Sequence, residues 1–159
     1  MYSPRLRFRV PGCQALGTAR LDQRTLRFHK RGADGSGKCD AHYTGKPDDA
    51  VVGVLYRIPE SEKPRLDNFE GVGRGYINEF VSIDHDGRAL HQVATYIADR
   101  DAIDATLRPY QWYKDFVVRG ALEHNLPGAY VEKFIAPAEA RGDPDPVRAS
   151  LRSSELTPL

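Results

Sequence analysis

The chain has 159 residues, 40% of them hydrophobic and 28% charged, which suits one globular domain able to fold without staples. Its 23 basic residues nearly cancel 22 acidic ones, for a formal charge of +1, so composition gives no electrostatic reason to expect nucleic acid or an anionic membrane as a partner. No apolar stretch approaches the roughly 20 residues a bilayer span needs, and Cys13 and Cys39 stand outside any C-x-x-C pair, so neither a membrane helix nor a disulfide scaffold is expected.

Met1 to Pro11 is rich in arginine and lacks an apolar run followed by small residues, so it does not read as a secretory signal. Pro4 and Pro11 break any long amphipathic helix of the transit-peptide kind. The protein is therefore expected in the cytoplasm, with its two thiols reduced and independent. Leu21 to Phe28 alternates loosely, as a strand does. Gly32-Ala33-Asp34-Gly35-Ser36-Gly37-Lys38-Cys39 approaches the phosphate-binding pattern G-x-x-x-x-G-K-[ST]. It fails at the last position, where Cys39 replaces the hydroxyl that would hold Mg²⁺. The following residues, Asp40 to Gly45, do not open a helix, so the phosphate cradle is missing. A flexible glycine loop between strands is the expectation.

Val51 to Ile58 is a continuous β-branched, apolar run of the kind found in a buried central strand. Ser61 to Gly71 predicts one short helix. Ser61 is its N-cap, Pro64 lies in the first turn, Leu66 and Phe69 point inward, and Gly71 terminates it. Ile77, Glu79, Val81 and Ile83 share one side of a strand. Asp84-His85-Asp86-Gly87 supplies hairpin chemistry, and a return strand runs from about Arg88 to Ile97. Trp112, Tyr113, Phe116, Val117, Gly120 and Ala121 mark the buried stripe of a helix ending near Asn125, before Pro127. A second short helix covers Gly128 to Ile135. After about Ala136 the composition turns to Pro, Ala and charged residues without apolar periodicity. Residues 137–159 are thus expected to be a disordered or extended tail beyond a domain of residues 1–136.

The five histidines, His29, His42, His85, His91 and His124, are scattered and form no ligand pair of known spacing, so no metal site is expected. No G-x-S-x-G nucleophile elbow exists. Glu70 is the informative acid. At a helix C-terminus it faces the negative end of the dipole, and Phe69 and the apolar strand that follows suggest a partly dry setting. Both influences favour the uncharged form and so suit a carboxylate for general-base work. Local chemistry alone nevertheless favours a surface glutamate in a turn.

Several blocks in order carry a resemblance that covers the chain from its N-terminus to about Phe134. They are Arg5-Leu6 with Arg9 and Pro11, Gly17-Thr18-Ala19-Arg20-Leu21, Gly35-Ser36-Gly37-Lys38, Val52-Gly53-Val54-Leu55-Tyr56, Leu66-Asp67-x-x-Glu70-Gly71-Val72, and Gly120-Ala121-x-x-x-x-Leu126-Pro127. Together they resemble the gamma-glutamylcyclotransferase-like family. The resemblance implies an α+β fold, a small mostly antiparallel β-barrel with a few helices. It implies a cyclotransferase that converts a γ-glutamyl amino acid, peptide or amine to 5-oxoproline and a free amine, without a cofactor. Glu70 falls on the family's general acid/base. Tyr76, Tyr96 and Tyr113 fall on, or within a residue of, its cavity tyrosines, although Tyr113 also fits the apolar stripe of its helix.

The family's first strand and its Tyr-Gly-Ser-Asn loop, whose backbone N–H groups serve the substrate, have no counterpart in this sequence. The alternative expectation is accordingly a protein that binds a small carboxylate or amine in the same cavity without turning it over. A third is an interaction module built on Arg5, Arg7 and Arg9.

Overall fold

The computed structural model describes residues 2–156. Helix α1 (Ser3–Arg9) has Pro4 in its first turn, where a missing N–H costs nothing. It buries Leu6, and Val10 just past its end, one turn apart on a single face, and keeps Arg7 and Arg9 in the last turn, where cations suit the dipole. Six strands follow: β1 (Gln14–Asp22), β2 (Arg24–Arg31), β3 (Gly37–Tyr43), β4 (Ala50–Arg57), β5 (Tyr76–His85) and β6 (Arg88–Ala98).

The expected strand from Leu21 to Phe28 is therefore two strands. The chain reverses at Gln23, which takes φ 59°. That turn lacks the usual glycine or Asn-Gly signal, and its backbone is held by Thr44 and Gly45 N–H groups donating to Gln23 O. Val51 to Ile58 does form a strand, but β4 ends the ladder β4-β1-β5-β6 instead of lying at its centre. Along one of its faces Val52 packs on the cluster of Ala121, Tyr130 and Ile135, while Tyr56 meets the cluster of Leu6, Val10 and Leu66.

The β5–β6 hairpin has the predicted turn, with φ 53° at Asp86 and 74° at Gly87. A bulge at His91-Gln92 re-aims the return strand. Strands β2 and β3 pair as a second sheet. All ladders are antiparallel, as the α+β expectation required. β3 lies along β6 and β2 along β4, so the strands surround the core in the order β4-β1-β5-β6-β3-β2. The arrangement follows a barrel, but ladder hydrogen bonds do not close it at these two seams. At one seam a side chain substitutes, with Ala98 N–H donating to Asp40 Oδ1 at 2.8 Å.

Helix α2 (Lys63–Glu70) ends on Gly71, φ 76°, whose N–H bonds Asn68 O while Val72 N–H bonds Asp67 O. Ser61 makes no cap here. A 3₁₀ turn, Glu60–Glu62, precedes the helix, and Glu62 accepts from Gly12 N–H instead. Phe69 points outward, 46% exposed, under the guanidinium groups of Arg9 and Arg65. Helix α3 (Gln111–Glu123) buries Trp112, Phe116, Gly120 and Ala121 as its stripe predicts. Helix α4 (Gly128–Tyr130) continues as a π turn over Val131–Ile135.

The region after Ala136 contains a further helix, α5 (Pro146–Ser154), contrary to the expectation of disorder or extension. Asp145 caps it by accepting from Arg148 N–H at 3.0 Å. Its anchors are polar more than apolar: Trp112 Nε1 and Arg148 Nε both donate to Asp143, at 2.8 and 2.7 Å. Among the described residues no helix is long and apolar enough to cross a membrane.

Candidate active site

A cavity of about 1170 Å³ opens among the helices and the seams of the sheets. Glu70 reaches it because the glycine cap turns the chain sharply at the end of α2, leaving the last side chain of the helix facing inward. Its side chain is only 14% exposed, and Arg9 Nη1 from α1 donates to Oε1 at 2.7 Å. Arg9 was not anticipated as a partner, because charge spacing in the sequence does not connect α1 with α2.

The three tyrosines expected beside Glu70 line the same cavity. Tyr76 opens β5 and donates to the backbone oxygen of Cys39. Tyr113, from the first turn of α3, accepts from Cys39 N–H at 3.1 Å. Both hydroxyls therefore hold the backbone of one β3 residue. Tyr96 on β6 donates to Asp67 Oδ1 at 2.7 Å, one turn before Glu70 on α2. Burial pushes all three phenols upward, and for Tyr96 the hydrogen-bonded Asp67 adds to it. They stay protonated and act as neutral hydrogen-bonding groups.

Basic side chains complete the walls. Lys30 on β2 lies with Nζ 4.4 Å from the Tyr76 ring centroid, and burial pushes its ammonium down. Lys38 is caged by Trp112 and Tyr113, at 4.8 and 4.6 Å, and bonds Asp34 Oδ2 and Ser36 Oγ at 2.7 Å each. The glycine loop resembling a phosphate cradle is thus a tightly bonded hairpin turn. Its lysine starts a strand and is spent on Asp34. Gly37 is required there, since a Cβ would lie 2.1 Å from Phe28 O.

Cys13 and Cys39 are both free. Burial pushes the Cys39 thiol up to about 11, so it is not a thiolate nucleophile at neutral pH. Glu70 lines this cavity together with other carboxylates, of which Asp34 is bonded to Lys38 and Ser36, and Asp40 to Ala98 N–H and His29.

The profile described as the AIG2-like family matches residues 50–134 of the chain. Among solved structures, one entitled gamma-glutamyl cyclotransferase superposes with a TM-score of 0.81 at 23% identity, covering 96% of this chain and 92% of that one. An uncharacterised protein from Homo sapiens gives 0.78 at 25% identity over 88% and 83% of the two chains. YkqA from Bacillus subtilis gives 0.71 at 26% identity, and this chain spans 50% of its length. No curated protein matches the sequence significantly.

Proposed function

From a chain that belongs to the AIG2-like family, we propose an enzyme: a cyclotransferase that converts a γ-glutamyl amino acid, peptide or amine to 5-oxoproline and a free amine. The observation that carries this reading is the shielded Glu70 carboxylate on the wall of a cavity lined by Tyr76, Tyr96 and Tyr113. The fold shared with a structure entitled gamma-glutamyl cyclotransferase supports it.

The substrate's α-amine arrives as an ammonium and cannot attack until it loses a proton. Glu70 accepts that proton. The amine nitrogen then bonds to the γ-carbonyl carbon and closes a five-membered ring. The bond from that carbon to the leaving nitrogen breaks as the proton held by Glu70 passes to the departing amine. Glu70, ionised again, takes the second proton that the ring nitrogen sheds to become a lactam N–H and passes it to the freed amine, which leaves as an ammonium. Positioned acid–base help of this kind is worth about 10²- to 10⁴-fold. Holding the γ-glutamyl chain folded back on itself lowers the barrier further by orientation.

Arg9 keeps the Glu70 carboxylate aimed, and Lys30 supplies positive charge for the substrate's α-carboxylate. The three neutral phenols form the polar walls. The reaction is an internal acyl transfer that itself calls for no metal or cofactor. Its proposed setting is the cytoplasm, where free thiols such as Cys13 and Cys39 stay reduced.

Release of 5-oxoproline from a panel of γ-glutamyl amino acids, peptides and amines, followed by mass spectrometry, tests the proposal. Glu70→Gln is expected to lower turnover by at least about 10²-fold while the variant still melts cooperatively. A Gln variant as fast as the parent removes Glu70 from the mechanism. No 5-oxoproline from any substrate removes the cyclotransferase reading.

A further inference from the structure

Two histidines that do not line the cavity meet on the β2–β3 sheet beside Asp40, which does. Asp40 and His42 alternate onto one face of β3, and a bulge in β2 between Arg27 and Lys30 brings His29 over Asp40. His29 Nε2 lies 2.9 Å from Asp40 Oδ2, and His42 Nδ1 lies 3.9 Å from the same oxygen. The two imidazole rings stand edge to face, 5.1 Å between centroids. One ligand atom from each of the three residues falls within 4.8 Å of the others.

We propose that His29, Asp40 and His42 form a binding site for one divalent transition-metal ion of the zinc class. Two imidazoles and a carboxylate suit Zn²⁺ and its neighbours better than Mg²⁺ or Ca²⁺, which prefer oxygen alone. A zinc ion bonded at about 2.0–2.2 Å to each ligand needs those atoms about 3–3.5 Å apart. The observed spacings bracket that range, so a small rotation of His42 completes the set. His42 has the freedom, since its side chain is 42% exposed. Its exposure also gives the ion and its remaining water ligands access.

Asp40 shows a second feature of a built site. Its side chain is 1% exposed, and a carboxylate that deep needs compensation. Ala98 N–H bonds Oδ1 at 2.8 Å and fixes the orientation of the carboxylate, leaving Oδ2 turned to the histidines. Ligating carboxylates are commonly held by such a partner. An ion here also ties β2 and β3 to β6 at a seam the ladder leaves open. It sits next to Cys39, whose backbone Tyr76 and Tyr113 grip.

The test uses the full chain without a histidine tag, stripped with a chelator. Calorimetric titration with Zn²⁺ is expected to give one ion per chain and a raised Tm, and Co²⁺ is expected to develop d–d absorption bands beyond those of the aquo ion. His42→Ala, at a partly exposed position, is expected to keep the metal-free Tm but weaken Zn²⁺ binding by at least about tenfold, the loss that removing even a supporting partner of a ligand brings. His29→Gln is expected to behave likewise. His91→Ala, which removes an exposed histidine hydrogen-bonded to Ser82, is expected to change neither quantity. Absence of Zn²⁺ binding, or binding that persists unchanged in His42→Ala and His29→Gln, overturns the proposal and leaves His29–Asp40 a structural hydrogen bond.

Discussion

Arg9 and Glu70 are 16% and 14% exposed and meet at 2.7 Å, so neither charge can be removed without leaving the other poorly solvated beside the cavity. Arg9→Ala is therefore expected to cost about 1.5–3 kcal/mol of stability, the range for hydrogen bonds to charged groups, read from a urea unfolding midpoint. Arg9→Lys is expected to recover part of that loss, because an ammonium supplies the charge but not the planar guanidinium. If the midpoint does not move in Arg9→Ala, the pair is not a significant tie. Glu70 itself was visible at this scale from its place before a helix-ending glycine. Its partner was not, since the two lie 61 positions apart and a charge in a sequence does not indicate its counter-ion.

Elements were legible where a local rule governs them. The β5–β6 turn needs positive φ at two successive positions, and Asp86-Gly87 announces that. The start of α5 carried a comparable signal, Asp145 followed by Pro146, but its apolar face is short, with Val147 and Leu151 one turn apart and exposed, and the surrounding Pro, Ala and charged residues masked the helix. The reversal at Gln23 carried almost none, because long-range bonds from Thr44 and Gly45 hold it. Gly37 gives the sharpest prediction about an element. A Cβ there would meet a backbone oxygen at 2.1 Å, not a flexible side chain. Gly37→Ala is expected to destabilise by at least about 1–3 kcal/mol, seen as a lowered Tm. Gly35→Ala in the same loop, with open space around it but φ 78°, is expected to cost only about 1 kcal/mol. Equal losses would mean that the β2–β3 hairpin yields easily at Gly37.

Acid response belongs to the whole molecule. Asp34, Asp67 and Glu123 each feel burial that works to raise them, yet hydrogen bonds more than offset it. Lys38 and Ser36 hold Asp34 down, Lys63 and Tyr96 hold Asp67, and Ser3 holds Glu123. A carboxyl depressed in the folded state gives stability that is fully present above its ordinary value. That stability drains as pH falls through the folded value, because the unfolded chain takes up the proton first. With ordinary values of 3.8, 3.8 and 4.5, these three groups are expected to leave Tm level above about pH 5 and to lower it steadily below pH 4. A melting series that is flat from pH 5 to pH 3 would show that these pairs contribute nothing.

The sequence by itself determined the α+β class, the helical stripe of α3, the glycine-ended α2, the hairpin turn and the position of Glu70 at its helix end. Caps, turn angles and apolar periods act between residues close along the chain, so they leave a readable trace. Only the tertiary structure decided which distant side chains meet: Arg9 with Glu70, Trp112 with Asp143 across 31 residues, and His29 with Asp40 and His42 over a bulge. Those meetings follow from where strands and helices cross, and a pairing of polar groups across such a crossing has no period that a linear sequence could display.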